Sequence, residues 1–109
     1  MHAGQAIGAL GALAQEHRLQ LFRLLIQAGS DGMAAGELAR AINIPNSSLS
    51  FHLGHLHRVG LIEQRRAGRS LIYSADYRAM DRLVAYLMEN CCGGEACAPV
   101  AVPQEKETA

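Results

Sequence analysis

The fold of this chain is decided by residues 35–69, which read AGELARAINIPNSSLSFHLGHLHRVGLIEQRRAGR. Apolar side chains recur at helical spacing over residues 35–42, and the polar, proline-containing segment 43–46 predicts a tight turn. Asn46 is a good N-cap, so a second helix is predicted for residues 47–59. Two helices joined by a short turn are typical of a helix-turn-helix unit.

After Gly60 the apolar period changes from helical to extended. Residues 61–66 and 70–74 are predicted to form two strands, joined by the three-residue loop Ala67-Gly68-Arg69 with glycine at its centre. The expected product is a β-hairpin that carries arginines at its tip.

Three further helices are predicted around this stretch, over residues 5–13, 16–27 and 76–90. The second of them places leucines on one face and leaves Arg18 and Arg23 on others, and the third has the clearest amphipathic pattern of the chain. The order of four helices, a hairpin and a last helix predicts a mainly α (α+β) fold. That fold is a winged helix-turn-helix with a two-stranded β-hairpin wing.

A chain of 109 residues predicts a single domain. Residues 1–92 are expected to form the winged helix-turn-helix DNA-binding and dimerisation domain. Residues 93–109 are expected to be a flexible C-terminal tail that contains cysteines. Within it, residues 99–109 are rich in Ala, Pro and Glu and are expected to be disordered.

The composition excludes several classes of protein. Ten basic residues balance ten acidic ones, but residues 58–69 carry four arginines against one glutamate, a local net charge of +3. No apolar run approaches the ~20 residues that cross a bilayer, and no secretory signal is apparent, so we expect a cytoplasmic protein with no membrane partner. Nucleotide-binding glycine loops and known catalytic motifs are absent, so neither an enzyme nor an organic cofactor is expected.

The predicted second helix of the helix-turn-helix and the hairpin tip form a candidate DNA-binding surface. A helix fits the major groove, where its first turn reaches base edges, and a basic hairpin can contact the flanking backbone or the minor groove. Serine caps and solvated arginines are common separately, but their combination on this scaffold favours double-stranded DNA as the partner. The candidate contacts are Asn46, Ser47, Ser48, Ser50, Phe51, His52, His55, Arg65, Arg66 and Arg69.

Two of these residues have a second interpretation. With Leu49, Leu53 and Leu56 as the buried stripe, Phe51 points outward, so either this helix register is shifted or the ring contacts a thymine methyl group. His52 lies one position from the stripe, which favours packing or backbone bonding over base contact.

Several motifs along the chain have a familiar arrangement. They are Leu13-Ala14, His17–Leu21, Glu37–Ala39, Ser47–Leu56, Gly60–Ile62 and Arg65–Arg69. Together they resemble the ArsR/SmtB-type metalloregulatory repressors over roughly residues 10–90. The resemblance implies a homodimer, joined through the first and last helices, that leaves its operator when a metal or metalloid binds. Two-fold symmetry then implies an inverted-repeat operator with half-sites about one DNA turn apart.

Two frequent metal sites of that family are not matched by this sequence. Ala34 and Gly36 stand where a Cys-x-Cys arsenic site would lie, and the last helix offers Asp76 and Asp81 but no histidine for a zinc site. The remaining candidate ligands are therefore the cysteines of the C-terminal segment.

The three cysteines, Cys91, Cys92 and Cys97, lie within seven residues and are predicted to form a metal site. Three sulfurs without an imidazole suit a soft ion with three-coordinate geometry, which As(III) and Sb(III) prefer. Zinc prefers four ligands, so zinc, cadmium and lead are less favoured. Some arsenic-responsive members of the family are similar in placing three cysteines here. As(III) is the expected inducer, and a methylated arsenical needs only the Cys91–Cys92 pair.

Two other functions stay open. A thiol redox- or persulfide-sensing repressor is less favoured because the end of a helix and the nearby Glu89 and Glu95 oppose thiolate formation. A soft-metal buffer without a DNA role is the other, and it predicts that the arginines of the hairpin have no function. In the favoured mechanism, metalloid capture changes the end of the last helix and favours a DNA-free dimer geometry.

Overall fold

The computed structural model describes residues 1–94 and confirms the winged helix-turn-helix. Its five helices are α1 (Ala3–Leu13), α2 (Glu16–Ala28), α3 (Ala35–Ile42), α4 (Asn46–Arg58) and α5 (Tyr77–Leu87). Its strands are β1 (Met33–Ala34), β2 (Ile62–Ala67) and β3 (Ser70–Ala75), and a 3₁₀ turn spans Cys91–Gly94. None of the described helices is long and apolar enough to cross a membrane.

The wing is an antiparallel hairpin of β2 and β3 that pairs from Ile62 opposite Ala75 to Ala67 opposite Ser70. Because Ala67 is paired, the connecting loop has two residues, one fewer than predicted, and Gly68 adopts the positive φ of 64° that such a turn requires. A third strand, β1, extends the sheet in the order β1-β3-β2. Two residues are too few to show a periodicity, so sequence reasoning missed β1.

The core lies where α2, α3 and α4 pack together beneath the sheet. The predicted stripe of α4 is confirmed, since Leu49, Leu53 and Leu56 are each at most 2% exposed. On α2 the structure buries Leu21 and Leu25 but leaves Leu24 half-buried. The second helix of the helix-turn-helix, α4, is the recognition helix of such a unit, and large aliphatic side chains fix it on its inner face.

Two predicted helix ends are wrong. The N-cap of α4 is Pro45 rather than Asn46, because the ψ of 154° at Pro45 ends the extended turn there and its carbonyl already accepts a hydrogen bond from Leu49. The last helix, α5, ends at Leu87 instead of near residue 90. Met88 at the C-cap already departs from helical geometry, with a φ of -93° and a ψ of 0°, and Asn90 then takes up a left-handed φ of 58°.

The outward faces of α1 and α5 are apolar. In α1 the small side chains of Ala6, Ala9 and Ala12 pack inward, whereas Ile7 is 69% exposed. In α5 Leu83 is buried, whereas Leu87 is 56% exposed. The two helices contact each other. The exposed large apolar side chains of the two helices include Ile7, Leu10, Val84 and Leu87, and Met88, directly after α5, is exposed as well.

Candidate nucleic-acid interface

The outer face of α4 carries most of the predicted base-contacting residues. Asn46, Ser47 and Ser50 are exposed, and Ser48 and His55 are half-buried. The structure therefore brings these five residues to one end and one side of the recognition helix. The pKa of His55 is lowered, first by burial and then by the charges of Arg18 and Arg58, so its ring is neutral at pH 7 and can both donate and accept a hydrogen bond.

The start of α4 is open to an anion. No side chain among the described residues caps it, because the residue at the N-cap is a proline. The first backbone N–H groups of a helix have no partner within the helix, and the helix dipole favours a negative charge at this end. A DNA phosphate is the kind of group that such a helix start binds.

Phe51 is 62% exposed although the leucine stripe of α4 is buried as predicted. The helix register is therefore correct, and the outward phenyl ring is a genuine feature of the surface. The ring makes an edge-on contact with the His52 ring. The two ring centroids are 5.4 Å apart, and the ring planes are inclined by 69°.

His52 lies in the interior and is only 9% exposed, so direct base contact is not available to it in this conformation. Its Nδ1 lies 3.3 Å from Nη1 of Arg18. Because a guanidinium can only donate, Nδ1 must accept, which requires an imidazole that carries no proton on that nitrogen. The pKa of His52 is lowered accordingly, first by burial, then by Arg18 and by the neighbouring His17 and His55. We assign His52 a role in packing, and its partner is a side chain rather than the backbone.

Arg18 links three helices, although the sequence pattern placed it away from the apolar face of α2. It is 9% exposed, and its Nε donates to the Ala12 carbonyl at the end of α1 at 2.7 Å. Together with the bond to His52, this joins α1 and α2 to α4. A signal for this position did exist, because Arg18, Leu21 and Leu25 share the i, i+3, i+7 spacing of one helix face.

The arginines of the wing do not form a single cluster. All three, Arg65, Arg66 and Arg69, are exposed. Nη2 of Arg65, however, donates to the Asp31 carbonyl in the loop after α2, at 2.9 Å. Because successive side chains of a strand face opposite sides, Arg66 points away from this loop. Arg66 and Arg69 are therefore the better placed of the three to reach a DNA backbone.

Removing both Arg66 and Arg69 is expected to weaken binding to any duplex. Each phosphate contact contributes about 0.9 to the slope of log affinity against log salt concentration, so the double alanine variant should lower the magnitude of that slope by about two. Fluorescence anisotropy across a salt series measures it. Arg23→Ala, at an exposed position of α2, is the control and should leave the slope unchanged; an unchanged slope in the wing variant would contradict the assignment.

The predicted thiol site is only partly described. Cys91 is half-buried and Cys92 is exposed, both in the 3₁₀ turn that follows α5, and the Cys91 N–H donates to the Met88 carbonyl at 2.9 Å. Cys92 takes part in a disulfide bond, and Cys97 lies outside the described residues. Within residues 1–94 no group of three His, Cys, Asp or Glu side chains is arranged to hold a metal ion.

The position of these thiols corrects one step of the sequence reasoning. Because α5 ends at Leu87, Cys91 and Cys92 do not lie in its last turn, and the effect of a helix dipole falls off within that turn. The two cysteines lie instead in the 3₁₀ turn that follows the helix. Cys92 and Gly93 both have left-handed φ, 57° and 68°, so the chain turns sharply here.

Comparison with known proteins agrees with this geometry. A helix-turn-helix domain family matches residues 13–65, which run from the end of α1 into β2. The HTH-type transcriptional regulator YgaV of Escherichia coli is 33% identical over 90 residues, which cover 83% of this chain and 89% of YgaV.

Two further proteins that are similar to this chain have solved structures. The transcriptional activator HlyU of Vibrio cholerae is 31% identical over 86 residues, covering 76% of this chain and 77% of HlyU. Its structure, which is also known in a reduced form, matches with a TM-score of 0.63 over 78% of this chain and 92% of that one. An ArsR-like regulator from Rhodococcus has the same fold, with a TM-score of 0.70 at 23% identity over 84% and 82% of the chains. The chain therefore belongs to the ArsR family of helix-turn-helix regulators, DNA-binding transcription factors that are not enzymes.

Proposed function

We propose that this regulator is a homodimeric repressor that binds an inverted-repeat operator and is released when As(III), or Sb(III), binds Cys91, Cys92 and Cys97 in their reduced form, with the disulfide of Cys92 opened. The observation that carries the proposal is the placement of Cys91 and Cys92. They lie in a sharp turn directly after α5, the helix whose outward face is apolar. A ligand bound there acts next to the surface that sets dimer geometry.

Dimerisation is supported by the exposed apolar faces of α1 and α5. Ile7 and Leu10 on α1, Val84 and Leu87 on α5, and Met88 directly after α5 leave a patch that a monomer would expose to water. Burying such a patch against a second copy removes apolar surface from water at about 25 cal/mol per Å². The two α4 helices of the dimer would then enter successive major grooves, as an inverted repeat requires.

The donor chemistry favours a soft, thiophilic ion. Thiolates select soft metals, and α5 contributes no histidine that would favour zinc. As(III) bonds to three sulfurs in a trigonal pyramid and needs no fourth ligand. Cadmium, lead and zinc are secondary candidates, because each would take a further ligand from solvent or from a partner subunit.

In this mechanism the site acts by biasing two arrangements of the dimer. Binding that joins the three thiols would fix the turn after α5 and shift the relative placement of the two winged domains. The recognition helices would then no longer span the two half-sites. A coupling free energy of about 1–3 kcal/mol is typical of such regulation and corresponds to roughly a 5- to 150-fold loss of operator affinity.

Arsenite titrated into an operator-bound sample is expected to release the DNA within that range. The operator would be a duplex selected in vitro with the purified protein, and the reductant must be free of thiols, because dithiols bind arsenite themselves. Substituting Ser for Cys91, Cys92 or Cys97 should reduce or abolish release, because each variant removes one sulfur. Arg23→Ala, an exposed position of α2 without a thiol, is the control and should respond as the native protein does.

Full release in all three cysteine variants would overturn the site. X-ray absorption on the loaded dimer adds a direct count, with three sulfurs around each arsenic as the expected result. A coordination number of two would instead indicate that a pair of thiols is sufficient, as for a methylated arsenical.

A thiol redox switch is the second candidate function, and the disulfide at Cys92 favours it. Two thiols would give one disulfide, with two electrons and two protons passing to an oxidant such as peroxide, which becomes water. Release of operator DNA by peroxide or polysulfide in the absence of metalloid would support this function. A promoter reporter then decides whether binding represses or activates, because HlyU is named an activator.

A further inference from the structure

Phe51 gives the recognition helix a distinctive apolar contact, and we propose that its ring contacts the C5 methyl group of a thymine in each operator half-site. The inference rests on the proposed insertion of α4 into the major groove. It goes further by naming a residue that determines sequence specificity and the base that this residue selects.

The location of the ring separates it from the rest of the exposed apolar surface. Most of the large exposed apolar side chains among the described residues lie on α1 and α5, whereas Phe51 is the one on α4. Its neighbours on the outer face are polar, with Ser47 one turn before it, Ser50 beside it and His55 one turn after it. An apolar group within a polar rim, on the helix that enters DNA, is placed to contact a base rather than another protein chain.

The ring is also held in place from behind. Its edge-on contact with His52, at a centroid distance of 5.4 Å, places it against a buried side chain. His52 in turn is bonded to Arg18, which is bonded to the Ala12 carbonyl. A contact of this kind restricts the ring, which reduces the conformational entropy that the side chain loses on binding.

The chemistry of the major groove identifies the partner. Guanine, adenine and cytosine present hydrogen-bond donors and acceptors there, and the apolar group among the four bases is the thymine methyl. A phenyl ring pressed against a polar base edge would leave that edge without a hydrogen bond, which costs free energy. Phe51 is therefore expected to favour thymine in two ways, by contact with its methyl group and by exclusion of polar edges.

Replacing thymine by deoxyuridine tests this, because it removes the methyl group and nothing else. Duplexes are first selected from a random library with the native protein, and each thymine of the selected sequence is then replaced in turn. One position per half-site should lose about fourfold in affinity, the contribution of one buried methyl group, and changing both half-sites should lose about fifteenfold. In Phe51→Ala the same replacements should have no effect.

Two controls keep the outcomes distinct. His57→Ala, at another exposed position of α4, should retain the full deoxyuridine effect. Phe51→Ala should keep the melting temperature and the sedimentation of the native protein, because the ring is largely exposed.

If the protein selects no sequence at all, the proposed operator binding fails. If it selects one but the deoxyuridine effect is missing, or persists in Phe51→Ala, operator binding stands and the thymine contact is overturned. A change of oligomeric state in Phe51→Ala would also overturn it, since the ring would then lie in an interface between copies.

Discussion

Replacing Gly32 with alanine is expected to lower the free energy of unfolding by about 3–5 kcal/mol, a large part of the 5–15 kcal/mol that stabilises a typical domain. Gly32 has a φ of 72° and precedes β1. A Cβ placed on it would overlap the carbonyl oxygen of Tyr73 and lie 3.0 Å from the carbonyl carbon. Tyr73 cannot move away, because it belongs to the central strand and is paired with both β1 and β2.

Gly68→Ala is the matched control for this substitution. Gly68 has a similar φ of 64°, but a Cβ there would have no neighbour within 4 Å. Its replacement should cost about 1–2 kcal/mol, the strain of a left-handed residue alone. Urea denaturation of both variants measures the difference, which reports the overlap with Tyr73. Equal losses in the two variants would show that β1 can separate from β3 at little cost.

Arg18→Ala is expected to destabilise the fold by about 2–4 kcal/mol. The substitution removes two hydrogen bonds of a buried charged group and leaves the Ala12 carbonyl and the His52 Nδ1 without this donor. Arg23→Ala, an exposed position of the same helix, should change stability by less than about 0.5 kcal/mol. A thermal or urea unfolding curve for each variant makes the comparison, and a loss in Arg18→Ala no larger than in Arg23→Ala would contradict the assigned role.

The same pair gives stability a defined pH dependence. The pKa of His52 is lowered in the folded state, so the unfolded chain takes up a proton at this histidine more readily. Stability from this group is therefore complete above the ordinary histidine pKa of about 6.5 and decreases as the pH falls below it. His52→Asn should show a smaller loss of stability between pH 7 and pH 5 than the native protein does.

Short-range patterns in the sequence were enough to predict the order of the elements and the inner face of α4. Leucines at positions 49, 53 and 56 specify that face because helical periodicity is local and because burial follows from it. The turn residues and the change of period after Gly60 predicted the wing in the same way. Helix ends were less well predicted, because Pro45 and Asn90 compete with stronger-looking signals nearby.

Three features depended on contacts between residues far apart in the chain. Arg18 and His52 are 34 positions apart, as are Arg65 and Asp31, and no periodicity relates the members of either pair. The strand β1 exists only because β3 offers it an edge.

The sequence by itself determined the winged helix-turn-helix, the local positive charge of the wing and the clustering of the cysteines, since each follows from residues close together in the chain. Only the tertiary structure decided which polar side chains are buried, because burial of a charge depends on partners from other elements. That is why Arg18 and His52 belong to the interior and why Arg65 is bonded to a loop.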